Sequence, residues 1–174
     1  MKTPLTSFLF TIVLLFLETA ILSNLYFLPV VPDLLLLYTV YVAIHRGCLH
    51  GETEGFTSGL LIDCLSSSPL GLNALLRTLT GFISGLFFLT INTHGFIIPF
   101  IIGICATIMK VLFLSIISFF FPGNVFSYDL FSSAVWIEVL LNALLAPVLF
   151  AICSRFDSIT SEPTDTIDSA ERID

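Results

Sequence analysis

Six apolar segments separated by short polar turns run through most of the chain. They cover about residues 5–28, 33–44, 55–65, 70–91, 96–121 and 130–153. Four of them reach the roughly 20 residues that a membrane-spanning helix needs. The second and third have only 12 and 11 residues, which is typical of short spans extended by flanking residues or of a re-entrant pair. The pattern predicts an all-α, polytopic membrane protein, a six-helix bundle in which two helices are short.

The first segment allows a second interpretation. Lys2 precedes its apolar stretch, as a basic residue does in a cleaved signal peptide. The stretch is long for a signal peptide, however, and no clear small-residue cleavage site follows it. A spanning helix that ends near Pro29 and Pro32 is the favoured prediction.

Composition narrows the functional class. Hydrophobic residues make up 56% of the 174 residues and charged residues 11%, against about 25% charged in an ordinary soluble domain. An independent soluble enzyme is excluded, because it could not bury so much apolar surface. A polybasic nucleic-acid binder is excluded as well, since 13 acidic residues outnumber 6 basic ones.

Charge divides the chain into two regions. Six of the acidic residues fall between Ser154 and Asp174, in a stretch rich in Ser and Thr. Such a composition is typical of a solvated extension without a packed core. We therefore expect a transmembrane helical domain at residues 1–153 and an acidic, disordered C-terminal tail at residues 154–174.

The basic residues outside the apolar segments indicate the orientation. Six spans place both termini on the same side of the membrane. That side would hold Lys2, Arg46, Arg155 and Arg172. The loops on the opposite side carry no Lys or Arg. Because Lys and Arg are enriched in cytoplasmic loops, both termini are predicted to be cytoplasmic.

Five ionisable residues fall within the apolar segments. They are Glu18, Asp63, Arg77, Lys110 and Glu138. Charges at such positions are costly and usually face protein or water, often in a functional pathway. Two interpretations stay open for them: internal pairs that hold the helices together, or a ligand or transport pathway.

The third and fourth segments predict a tight hairpin with an ion pair. Asp63 and Arg77 are each seven residues from Leu70, so a hairpin folded there would place them at equal depth. Two GxxxG motifs, which permit close helix contact in lipid, lie in the same mirror register. This register predicts that Gly59 faces Gly81 and that Gly55 faces Gly85.

The fifth and sixth segments predict a second pair. Lys110 and Glu138 are each 14 residues from Asn124, at the turn between the segments. Pairing would relieve a cost of about 2.5–3.5 kcal/mol for each unpaired charge near mid-span. Asn142 follows Glu138 on the same helix face, and Pro147 is expected to kink or end the helix.

Glu18 has no evident partner within its own hairpin. Tyr38 and Tyr41 of the second segment could bond to it, and Lys110 is a third candidate. Glu18 is therefore the candidate functional residue among the five.

A short polar stretch contains several residue types that can bind metals. Its members are His45, Cys48, His50, Glu52 and Glu54. Their spacing fits no standard metal-binding pattern, so a solvated polar loop is the favoured interpretation. We predict no metal, no cofactor and no catalytic residue, because the chain also lacks a phosphate-binding loop, a nucleophile elbow and an HExxH motif.

A family resemblance is carried by residues 55–65 and 69–75. The stretches GFTSGLLIDCL and PLGLNAL resemble the pattern G-F-x-x-G-L-L-x-D-x-L followed by P-L-G-x-x-A-L of the bacterial rod shape-determining protein MreD family. The matching positions include Phe56, Leu60, Asp63, Pro69, Leu70 and Gly71. Pro32, Asn142 and Pro147 also look like the family. The resemblance covers about residues 1–153, and the acidic tail departs from it.

The resemblance implies a role in a complex and no reaction. It implies a non-enzymatic inner-membrane scaffold of the cell-wall elongation machinery, in contact with membrane lipid and with MreC. MreB, RodA and a class B penicillin-binding protein would belong to the same assembly. It also implies a fold similar to the substrate-binding subunits of energy-coupling-factor transporters. A small-molecule binding or transport subunit of that type is therefore the alternative function.

Overall fold

The computed structural model describes residues 2–21, 30–66, 68–88, 90, 91, 93, 95–120 and 132–160. Within these ranges the chain forms six α-helices and no strand, which confirms the predicted all-helical class. They are α1 (Lys2–Phe16), α2 (Leu34–Arg46), α3 (Cys48–Leu65), α4 (Leu72–Gly85), α5 (Ile97–Phe120) and α6 (Ser133–Thr160). A π-helical turn, Leu17–Ile21, directly follows α1.

Two helices are long and apolar enough to cross a membrane. They comprise the 24 residues Ile97–Phe120 and the 23 residues Ser133–Arg155. Ser7–Ala20 and Leu34–Arg46 form shorter apolar helices. With 13 residues and a rise of about 1.5 Å per residue, α2 is about 20 Å long, against a bilayer core of about 30 Å.

The shortest helix, α2, lies at the centre of the bundle. All ten residues from Leu35 to Ile44 are buried. Leu14 of α1, Ala106 of α5 and Phe150 of α6 belong to the same apolar core. The physical reason lies in the sequence of α2, which is apolar on nearly every face and must therefore be covered on every face.

The polar stretch after α2 is helical, contrary to the predicted loop. Gly47 alone separates α2 from α3, and its φ of 89° lies in the left-handed region that favours glycine. Thr39 of α2 lies 3.3 Å from Ser58 of α3, and Gly51 packs against Ala43, so the two helices run antiparallel. The predicted third segment is therefore extended at its N-terminal end to Cys48.

The predicted glycine faces meet in the α3–α4 hairpin, but in another register. A Cβ atom added to Gly55 would lie less than 3.0 Å from the backbone of Arg77, and one added to Gly59 would meet Ala74 equally closely. Gly81 contacts Gly51 in the same way, and Gly85 contacts Cys48. The predicted opposition of Gly55 to Gly85 and of Gly59 to Gly81 is therefore wrong, by about two helical turns. The close backbone contact that GxxxG motifs permit is nevertheless present.

The last helix extends further than expected. Pro147 was expected to kink or end the helix, and of these two outcomes the end is excluded, because Pro147 lies inside α6. Ser154–Thr160, the first part of the predicted tail, continues α6. The rest of the tail, the predicted turn at Asn124 and the region around Pro29 lie outside the described residues.

Candidate functional site: a buried ionic cluster

Five charged side chains from five parts of the fold meet inside the bundle. We call this set the ionic cluster, and its members are Glu18, Asp33, Arg77, Lys110 and Glu138. Four of them are predicted intramembrane charges, and the fifth, Asp33, was not predicted. The sequence did contain a signal for Asp33. It directly precedes an apolar helix, a position at which Asp commonly caps the helix N-terminus. In the structure Asp33 Oδ1 accepts a hydrogen bond of 2.9 Å from the backbone N–H of Leu36.

Asp33 links two cations that come from different helices. Arg77 Nη2 donates to Asp33 Oδ1 over 2.6 Å, and Lys110 Nζ donates to Asp33 Oδ2 over 2.8 Å. Lys110 Nζ also lies 2.7 Å from Glu138 Oε1. The structure thus brings Lys110 and Glu138 together, and it adds Asp33 between Lys110 and Arg77. The result is a chain of alternating charges in which every contact joins two different elements.

Asp63 has a different role from the predicted ion pair with Arg77. Its carboxylate accepts backbone N–H bonds of 2.9 Å from Gly71, 3.1 Å from Asn73 and 3.1 Å from Ala74. Asn73 Nδ2 adds a further bond of 2.8 Å. Asp63 therefore caps the N-terminus of α4, where unpaired amides and the helix dipole favour a negative charge. The predicted pairing of Asp63 with Arg77 is corrected accordingly, since Arg77 binds Asp33.

Neutral polar groups add further links between the start of α2 and the helices α5 and α6. The backbone N–H of Asp33 donates to Asn142 Oδ1 over 2.8 Å, and Asn142 Nδ2 donates to Thr107 Oγ1 over 3.0 Å. Both side chains are fully buried. Asn142, predicted from the family motif, thus joins the start of α2 to both long helices.

Glu18 lies at the edge of the cluster, on the π-helical turn after α1. Its Oε2 accepts a hydrogen bond of 3.1 Å from the backbone N–H of Leu35, and its Oε1 is 3.9 Å from Arg77 Nη2. The predicted partners Tyr38 and Tyr41 are not among these contacts. Lys110, the third predicted partner, belongs to the same cluster, where it binds Asp33 and Glu138. Among the described residues, Arg77 Nη1 is the buried side-chain nitrogen or oxygen without a hydrogen-bond partner.

The family motif divides into an inner and an outer part. Asp63 and Gly71 build the start of α4, and Gly71 has a φ of 91°, which favours glycine. Phe56, Leu60 and Leu70 are exposed. Pro69 also lies in the turn before α4, where its carbonyl accepts a bond of 3.1 Å from Leu72. The conformational part of the motif is therefore the cap, and the exposed apolar part is available to lipid or another protein.

A second polar group ties α1 to α3 and to the C-terminal end of α2. Thr11 Oγ1 donates to Glu54, and Arg46 Nη1 donates to Ser7 Oγ over 3.0 Å. The candidate metal ligands lie at the end of α2 and on α3, and Glu54 belongs to this group. His45 Nδ1 is 2.8 Å from the carbonyl of Tyr41, and in the part of the chain that the structure describes no three such residues could hold a metal ion.

Comparison with known proteins gives one match. No curated protein and no solved structure matches the chain. The family model described as rod shape-determining protein MreD matches residues 1–156. The matched region includes α1 to α5, most of α6 and all five residues of the ionic cluster. Because this match covers most of the chain, the protein belongs to the MreD family of membrane proteins, which take part in rod shape determination.

Proposed function

We propose that this protein is a non-enzymatic, multi-pass scaffold of the cell-wall elongation machinery in the bacterial inner membrane. It would be needed for rod shape and for lateral peptidoglycan synthesis. Its partners would be MreC and membrane lipid, with MreB, RodA and a class B penicillin-binding protein in the same assembly. Membership of the MreD family supports the role in cell shape.

The contacts of Asp33 are the observation that carries the scaffold proposal. One carboxylate at the start of the central helix binds Arg77 of α4 and Lys110 of α5, while its backbone binds Asn142 of α6. The intramembrane charges are thus used between helices of the same chain. In this proposal the buried ion pairs serve to specify one arrangement of the helices, as buried polar groups do in some other proteins.

The outer faces of the helices supply surface for other membrane proteins. Large apolar side chains are exposed on α1, α3, α5 and α6, for example Phe8, Phe56, Leu112 and Trp136. In a membrane such side chains contact lipid or the helices of a partner. The predicted orientation, with both termini in the cytoplasm, would place the N-terminus of α2 and the ionic cluster in the outer half of the bilayer.

Depletion in the native host tests this proposal. Loss of the protein is expected to turn rods into rounded cells and to abolish insertion of new wall material along the side wall. Plasmid-borne wild-type protein should restore both, whereas Asp33→Asn should restore neither at an equal level in the membrane. Glu52→Gln on α3, outside the cluster, is the matched control and should restore both. Rod-shaped cells with normal side-wall insertion after depletion would refute the proposal.

A small-molecule binding or transport subunit of the energy-coupling-factor type is the second candidate. One observation favours it: the buried nitrogen Arg77 Nη1 has no partner among the described residues, as a group awaiting a ligand would. Depleted cells would then keep their shape and lose the uptake of a vitamin-like nutrient. Measuring nutrient uptake in the same depletion experiment separates the two functions.

A further inference from the structure

The ionic cluster carries one more negative than positive charge when every group is ionised. Its three carboxylates are Glu18, Asp33 and Glu138, and its two cations are Arg77 and Lys110. Asp33, Glu138 and the two cations balance each other within contacts of 2.6–2.8 Å. Because an uncompensated charge inside a membrane protein is costly, the remaining carboxyl group needs a positive charge from elsewhere.

The position of Glu18 identifies it as the group that lacks compensation. Its oxygen is 3.9 Å from Arg77, whereas charged N–H···O contacts measure about 2.7–2.9 Å. At the same time Arg77 Nη1 has no partner among the described residues, although a guanidinium can bind a carboxylate with two nitrogens. A neutral carboxyl group would leave this spacing, and an ionised one would be drawn onto the open nitrogen.

Glu18 is also the most exposed of the three carboxyl groups. Its side chain is 14% exposed, against 7% for Asp33 and 3% for Glu138. It lies on a π-helical turn, and such turns occur frequently at functional sites. The groups that face it are Arg77 of α4, Lys110 of α5 and Asp33 before α2.

We propose that Glu18 is a reversible proton-binding site whose proton decides how closely the end of α1 is held against α4. The neutral carboxyl group accepts the backbone N–H of Leu35 and stands away from Arg77. The ionised carboxylate binds the open Nη1 of Arg77 at the length of an ionic hydrogen bond, about 2.7–2.9 Å. This inference concerns the cluster itself and does not rest on the scaffold function, and it gives Arg77 Nη1 a partner within the chain in place of a ligand.

Solid-state NMR on the unmodified, full-length protein in lipid bilayers tests the proposal directly. Glutamate labelled at Cδ with ¹³C and arginine labelled with ¹⁵N report both the protonation of Glu18 and its distance from the Arg77 guanidinium. Between acidic and alkaline buffer, the Glu18 signal is expected to change from the carboxylic-acid to the carboxylate position while the distance shortens. A signal that stays at the carboxylate position throughout would overturn the proposal, and so would titration without any change in distance.

Infrared difference spectroscopy with two variants provides the second test. The wild-type difference spectrum between the two buffers should contain the C=O band of a protonated carboxyl group. Glu18→Gln, which keeps the shape of the side chain, should remove this band. Glu54→Gln is the matched control, because Glu54 is also a buried acid that contacts α1, and the Glu18 band should persist in it. A band unchanged by Glu18→Gln would refute the assignment.

Discussion

Thermodynamic coupling between charged residues distinguishes the observed pairing from the one expected from the hairpin register. Two double-mutant cycles share Arg77→Met: one combines it with Asp33→Asn and the other with Asp63→Asn. Asp33 is bonded to Arg77 at 2.6 Å, whereas Asp63 is bonded to the N-terminal amides of α4. Residues in direct contact couple by about 0.5–3 kcal/mol, and a buried pair that loses one partner costs about 3–5 kcal/mol.

We expect a coupling energy of about 2 kcal/mol or more between Asp33 and Arg77, the upper part of that range. Between Asp63 and Arg77 it should be no more than about 0.5 kcal/mol, as for residues without a shared partner. Asp63→Ala alone should cost about 2 kcal/mol through loss of the helix cap, and Asp63→Asn less, because it keeps one acceptor oxygen. Equilibrium unfolding of the purified variants in mixed micelles measures all of these values.

A strong coupling between Asp63 and Arg77 would refute this assignment. The same holds for recovery of stability when the two charges are exchanged, Asp63→Arg with Arg77→Asp. Such recovery would require the symmetrical hairpin that the sequence suggests. With the observed contacts, the exchange should be at least as destabilising as the worse single variant, because it removes the cap of α4 and places an acid beside Asp33.

Three further outcomes are expected from the same unfolding assay. Lys110→Met should lower the free energy of unfolding by about 3–5 kcal/mol, since it leaves two acids without their shared cation. Glu138→Gln should lower it clearly less, and equal losses would contradict a shared cation. Gly81→Leu should separate α3 from α4 and lower the free energy of unfolding by at least about 1–3 kcal/mol. Phe82→Leu on the exposed face should have little effect, and the reverse order of the two variants would place the interface elsewhere. Gly71→Ala should cost about 1–2 kcal/mol because of its left-handed backbone, and Gly71→Asn less; equal stability of all three proteins would exclude a conformational role.

The two hairpins show where prediction from residue spacing succeeds. Lys110 and Glu138 meet, as equal distances from their turn suggest. In the other hairpin, α4 begins only at Leu72, and the carboxylate of Asp63 is needed to cap it. Spacing arithmetic assumes a symmetrical turn, so it cannot anticipate a helix start that is set by a capping side chain.

By itself, the sequence determined the six helices, their membrane character, the glycine-lined faces of α3 and α4, and the resemblance to the MreD family. These properties depend on composition and on short-range spacing. Tertiary structure alone decided that Asp33 joins Arg77 to Lys110. Because α2 lies in the middle of the bundle, its capping residue Asp33 faces α4, α5 and α6 at once and binds the two cations. Glu18 lies at the edge of that arrangement, 3.9 Å from Arg77. The physical reason is that charges pair according to which helices are neighbours in space, and the order of the helices in the chain does not determine this.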